Sequence, residues 1–254
     1  IGTSALDVDL DGNNSVAIGR NALGSQTGTD ADMHNTAVGF EAGKGSTTGK
    51  FNTFIGSISG GNGVTTGTHN TAVGMETLYA LTSGESNVAM GFQAGSKITT
   101  GTNNVAIGRE ALETEDTGGR CVAVGHQALR IQNNDANNNN TAVGFQAGIA
   151  VNTGTGNTLI GMQAGHNLTS GTNNTVLGFN LGVGSASQTG QIVIGSNING
   201  GGANSVRIGT SNGNTTLELD GADTSWAASS DSRLKTDVAN CAVGLDFIKD
   251  LRPI

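Results

Sequence analysis

The stretch "TTGTNNVAIGREAL", Thr99 to Leu112, decides the fold, because near-copies of it recur along most of the chain. "NNTAVGFQAG" from Asn139 is another. The glycines that close these elements are Gly19, Gly39, Gly56, Gly74, Gly91, Gly108, Gly125, Gly144, Gly161, Gly178, Gly195 and Gly209. Successive members stand 20, 17, 18, 17, 17, 17, 19, 17, 17, 17 and 14 apart, a period of 17 with small insertions. Fixed spacing of this kind marks a repeat architecture.

The three residues before each closing glycine alternate in character, which is the period-2 pattern of a strand. Val105 and Ile107, Thr141 and Val143, and Thr175 and Leu177 share one face, and the residue between them is usually Ala, as at Ala37, Ala72, Ala106 and Ala142. On this pattern Val, Ile and Thr are expected to form the core, and the small Ala face to be an outer surface that another subunit approaches closely. A second glycine precedes the first by seven positions at Gly49, Gly67, Gly84, Gly101, Gly118, Gly154 and Gly171, suggesting a corner of positive φ. Asn stands four before the closing glycine at Asn35, Asn52, Asn70, Asn87, Asn104, Asn140, Asn157 and Asn174. Stacked coils would turn these into an amide ladder.

A unit of this length is too short for two packed helices and suits one coil of a solenoid. Twelve coils at the interstrand distance of about 4.8 Å would make a rod of roughly 55 Å. The expected fold class is all-β, a parallel β-solenoid or β-roll of about 17 residues per coil. The thin core and Ala face together predict a homotrimer, which buries that face within closed symmetry.

Composition agrees with a narrow, repetitive core. The 254 residues include 42 glycines, one proline and nine aromatics, too few large side chains for a wide globular interior. A net charge of −8 leaves no basic footprint for nucleic acid and no polybasic membrane face. No apolar run is long enough to span a bilayer. Cys121 and Cys241 have no metal spacing and read as free thiols. The chain begins with Ile1, so an amino-terminal region is expected to precede it. No cofactor or metal is expected.

"NNSVAIGRNAL", Asn13 to Leu23, and its successors resemble the head repeats of YadA-type trimeric autotransporter adhesins, which are left-handed parallel β-rolls in trimers. The longer "TTGTNNTAVGFQAG" style is similar to repeats in phage tail-fibre proteins. The resemblance covers roughly Asn13 to Thr210 and speaks to architecture, not to a ligand.

After Gly209 the composition changes. "SSDSRLKTD", Ser229 to Asp237, followed by "GLDFIKDLRP", resembles the start of the endosialidase-type carboxy-terminal intramolecular chaperone of phage tail spikes and fibres. That resemblance implies a helix-containing module that trimerises the fibre and is then cut off by a serine and a lysine. Carried over, the nucleophile falls on Ser230 and its base on Lys235, with Asp231 and Arg233 in support. A desolvated neutral lysine can activate a serine hydroxyl. Five residues of strand span about 17 Å, and five of helix turn about 140°, so the segment must bend or Lys235 must come from a neighbouring subunit. The chain stops at Ile254, where such a chaperone has scarcely begun, so an uncut, truncated or partial module is expected.

The organisation expected is an entry segment at 1–12, the repeat at 13–210, a connector at 211–228 and the chaperone fragment at 229–254. The function these resemblances imply is that of a structural tail-fibre segment of a phage or phage-like particle, expected to be partnered by other tail or fibre proteins, with any host attachment, to a surface glycan or protein, expected on its loops. Self-cleavage would be a single-turnover event, with no enzyme action on an external substrate. The alternatives are a cell-surface trimeric adhesin head and a polysaccharide-degrading tail spike.

Other signals favour plainer readings. "DVDLDG", Asp7 to Gly12, starts like an EF-hand loop, but Ile18 stands where a bidentate Glu is needed. "GGNGVT" at Gly60 has Thr65 where a calcium β-roll has aspartate, and reads as a turn. His34 and His69 share a phase without further ligands. Glu41, Glu76 and Glu110 share one too and read as a solvated face rather than glycosidase carboxylates. Thr66, Thr100 and Thr153 would suit an ice-binding ladder but for Lys50 and Glu85 at the same phase.

Overall fold

The computed structural model describes residues 1–8, 14–27 and 32–219, together with the backbone of 227–228. Among these residues the chain is all-β and contains no helix. Twelve strands stack in chain order and in parallel, from β1 (Val16–Ile18) to β12 (Ser205–Thr210), one per coil. Each pairs in phase with the next, so that Val88 faces Val105 and Val105 faces Val122. The result is a parallel β-solenoid in which the repeat period of the sequence is the length of one coil.

The stack ends by reversing direction. β13 (Gly213–Glu218) turns back antiparallel along β12, and β14 (Ala227–Ala228) pairs antiparallel with β13. A strand that folds back covers the backbone edge that the last coil would otherwise present to another chain.

The two strand faces are the reverse of the sequence expectation. The middle of the three residues before each closing glycine points inward as far as Val193, and Ala37, Ala72, Ala106, Ala123 and Ala142 are buried. The flanking Val, Ile and Thr residues point outward and are half-exposed or exposed. Volume explains the inversion, because both faces are apolar and the coil is too narrow for a branched side chain on every rung. Where the central residue is large, glycine makes room. Phe54 lies between Gly43 and Gly60, and a Cβ on Gly43 would fall 2.6 Å from its ring. Leu159 lies between Gly148 and Gly165, where added Cβ atoms would fall 2.7 and 2.8 Å from its methyl carbons. The rest of the interior comes from the return path, including Leu78, Leu81, Ile98, Leu112, Leu129 and Leu168.

Glycine is required at the end of each strand. Gly108 has φ +129° and Gly144 φ +137°, and a Cβ on either would strike the carbonyl of the next closing glycine. The second glycine phase does not have the predicted positive φ. Gly101 and Gly154 are needed there because the next coil's backbone passes too close for a side chain. Positive φ on non-glycine residues falls at three other phases, for example Phe51, His69 and Asn103 at one, Glu76, Gln93 and Glu110 at the second, and Leu78, Leu112 and Leu129 at the third. Each such residue costs roughly 1–2 kcal/mol, and the inter-coil hydrogen bonds hold it in place.

The amide ladder forms along the interior. Asn87 donates through Nδ2 to the Gly101 carbonyl at 2.8 Å, and its Oδ1 accepts the Asn104 N–H at 3.0 Å. Asn35, Asn52, Asn70, Asn140, Asn157 and Asn174 are likewise buried and make the equivalent bond to a second-phase glycine or its counterpart. Cys121 takes the Asn position in one coil and interrupts the relay, although its own N–H still bonds Asn104 Oδ1 at 3.0 Å. Burying these amides is favourable because every rung supplies the partners that an isolated buried amide would lack.

Candidate functional site

The outward strand face is the most conspicuous surface of the solenoid. Val16, Ile18, Ile55, Met90, Val143, Ile160, Leu177 and Ile208 are all exposed on it. A second strip runs beside it, formed by the residue after each closing glycine: Phe40, Met75, Phe145, Met162 and Phe179 are exposed there, Phe179 by 46%. Twelve strands at about 4.8 Å make this surface about 50 Å long, and with the second strip about 10 Å or more wide. That is about 500 Å², at the upper end of what a monomeric protein leaves in water. β-Branched residues suit a strand surface that another sheet covers.

The strip is not uniform. Arg20 replaces the aromatic in the first coil, and its guanidinium sits 4.5 Å from the centre of the Phe40 ring. His126 stacks on Phe145 with ring centres 5.1 Å apart. At another corner His34, Phe51 and His69 form a continuous stack with spacings of 5.3 and 5.0 Å. The two histidines therefore sandwich a phenylalanine and do not converge on a shared ligand.

The acids expected on a solvated face are joined in a side-chain ladder. Gln93 donates to Glu76 at 2.8 Å, and Gln127 to Glu110 at 2.7 Å. Gln146 and Gln163 continue the chain of amides. Glu110 is buried; the Gln127 amide and then the Arg109 guanidinium hold its carboxyl below the usual range. Such a tied row of carboxylates offers neither a free acid nor a free nucleophile. Where the ladder shortens to Asn180 and Asn197, a shallow depression of about 270 Å³ opens, lined also by His166, Ile198 and Asn199.

Thr65 is buried and donates to the Leu81 carbonyl, so the segment at Gly60 is closed against its neighbour. Among the described residues no group of three or more His, Cys, Asp or Glu could hold a metal ion, and no helix is long and apolar enough to cross a membrane. The self-cleavage residues Ser230, Asp231, Arg233 and Lys235, the rest of 229–254, Cys241, and residues 9–13 of the EF-hand-like stretch lie outside the described residues. Sequence reasoning missed an interior acid, Glu115, which occupies the phase held by Leu81, Ile98, Val151 and Leu168 in four coils and by the buried Gln26, Ser46 and Gln132 in three others. That phase was the available signal, and it marks an interior position without singling out an acid. The class defined by these features is a parallel β-solenoid with one long apolar face. Comparison of the chain with protein-family models, curated proteins and solved structures gave no match.

Proposed function

We propose that the chain is a structural segment of a trimeric tail fibre of a phage or phage-like particle, in which three solenoids pack through the outward Val/Ile/Thr face and the neighbouring Phe/Met strip. The observation that carries this reading is the apolar face itself, which runs the length of the coil stack. A threefold arrangement needs each chain to offer one patch to each of two neighbours, and two adjacent strips meet that need. The stoichiometry and the phage setting rest on the resemblance of the repeats and of the segment beginning at Ser229. The rod holds and presents; host attachment, to a glycan or protein, belongs to the loops that lengthen the repeat at 24–34 and 130–140. Ser230 and Lys235 cut the chaperone away once the trimer has formed.

The interface is tested by placing charge on it. Val105→Lys with Ile107→Lys should give folded chains that no longer associate, because lysine at the centre of an apolar contact is left without a partner. Thr102→Lys, off the face, should leave the assembly unchanged. Normal assembly of the double variant would exclude this face as the contact.

A further inference from the structure

The chain has three Asn–Gly pairs, Asn62–Gly63, Asn199–Gly200 and Asn212–Gly213. Such a pair is chemically labile. The glycine has no side chain to screen its nitrogen, and closing that nitrogen onto the asparagine Cγ makes a five-membered ring. The three pairs are alike in sequence, so the fold decides between them.

Two of the glycine nitrogens are tied down. Gly200 N–H donates to the Gly182 carbonyl at 3.0 Å, and the Asn199 carbonyl accepts from Arg207 Nη1 at 2.8 Å. Gly213 opens β13 and pairs with Thr210 across the hairpin, where Asn212 N–H donates to the Thr210 hydroxyl at 3.2 Å. Gly63 differs. It lies on the return path of a coil, Gly56 to Gly74, that is longer than the repeat by one residue. At the same distance from their closing glycines, Leu81, Ile98 and Leu168 each donate to the carbonyl three residues back. The extra residue breaks that turn, and among the described residues Gly63 N–H has no hydrogen-bond partner. Asn62 and Gly63 are both exposed, beside the exposed Val64. Asn62 is anchored from behind: its N–H donates to the Tyr79 carbonyl and its Nδ2 to the Tyr79 hydroxyl, both at 2.9 Å.

We propose that Asn62 is a site of spontaneous covalent modification, at which the free Gly63 nitrogen converts the asparagine to a mixture of aspartyl and isoaspartyl residues. The Gly63 nitrogen bonds to Asn62 Cγ, the Cγ–Nδ2 bond breaks, and ammonia leaves with the proton that Gly63 gives up. Water then opens the cyclic imide at one carbonyl or the other. One water is consumed and one ammonia released, with no other reactant. Each conversion adds one carboxylate and takes the chain from −8 to −9. The aspartyl product keeps its tie to Tyr79, whose hydroxyl then donates to the carboxylate. The isoaspartyl product lengthens the main chain by one carbon at the rung between Asn62 and Tyr79. Because the change runs one way, the charge at this turn records the age of each copy. It takes place away from the Val/Ile/Thr strand face and is independent of how the chains assemble.

Peptide mapping by mass spectrometry on the full folded chain, aged at pH 8, tests this. Asn62 should gain the mass of the acid at least about fivefold faster than Asn199 or Asn212, whose glycine nitrogens must first leave the partners that hold them. In urea, where all three turns are open, the rates should converge. A Cβ on Gly63 meets nothing within 4 Å, so Gly63→Ala should fold normally. Its methyl crowds the approach of the nitrogen and should slow conversion by about tenfold. Equal rates at the three sites in the folded chain, or earlier conversion at Asn199 or Asn212, would overturn the proposal. So would an advantage of Asn62 that persists in urea, or an unchanged rate in Gly63→Ala.

Discussion

Ala106→Leu separates the observed packing from the reverse one. Ala106 is buried at the centre of its strand, with Gly95 of the preceding coil and Leu112 of its own coil nearby at the phase that gives way to large residues. Phe54 and Leu159 show what a large residue needs there, namely glycine in both coils. Ala106 has only half of that relief, so three added carbons must displace Leu112 or bend the strand. Overpacking of this kind costs roughly 1–3 kcal/mol. For a chain of this size each kcal/mol moves Tm by about 2–4 °C, so the expected loss is about 2–12 °C by circular dichroism. Leu112→Gly in the same chain should recover part of it, giving a coupling of about 1 kcal/mol in a double-mutant cycle. Unchanged Tm with lost assembly would show that the Ala face is the outer contact and that the described interior is wrong.

Three further outcomes are expected. Asn104→Leu strands the Gly118 carbonyl and the Cys121 N–H, two buried groups now bonded at 3.0 Å, and should cost about 2–4 kcal/mol in denaturant unfolding. Glu115 binds its proton more tightly in the folded chain, so its contribution is greatest below pH 4.5 and is lost as the pH rises to about 7; stability should fall by about 3 kcal/mol per chain across that window, and Glu115→Gln should flatten the dependence of Tm on pH. In a protein carrying a complete chaperone module, native chains should release a carboxy-terminal fragment by mass spectrometry while Ser230→Ala and Lys235→Ala remain full length and still trimerise; equal release from Ser230→Ala would exclude Ser230 as the nucleophile.

The repeat, the strands and the Asn ladder could be read from the sequence because each follows from a period, and a period fixes which residues stack. The inward face could not be read from period alone, since Val105, Ala106 and Ile107 are all apolar and alternation says only that two faces exist. The cue lay in volume: Phe54 and Leu159 interrupt the Ala series where Gly43, Gly60, Gly148 and Gly165 open space for them. The positive-φ corners were misplaced because glycine answers two needs, and at Gly101 close approach is the operative one. Glu115 could not be singled out by period, because its phase holds Leu81 and Ile98 in some coils but the buried Gln26, Ser46 and Gln132 in others.

The central claim is that the outward apolar face is buried between three copies of the chain, and sedimentation equilibrium of the native protein tests it most directly. The account predicts a single species at three times the chain mass of 25.4 kDa, persisting on dilution. A folded, stable monomer of 25.4 kDa would contradict it.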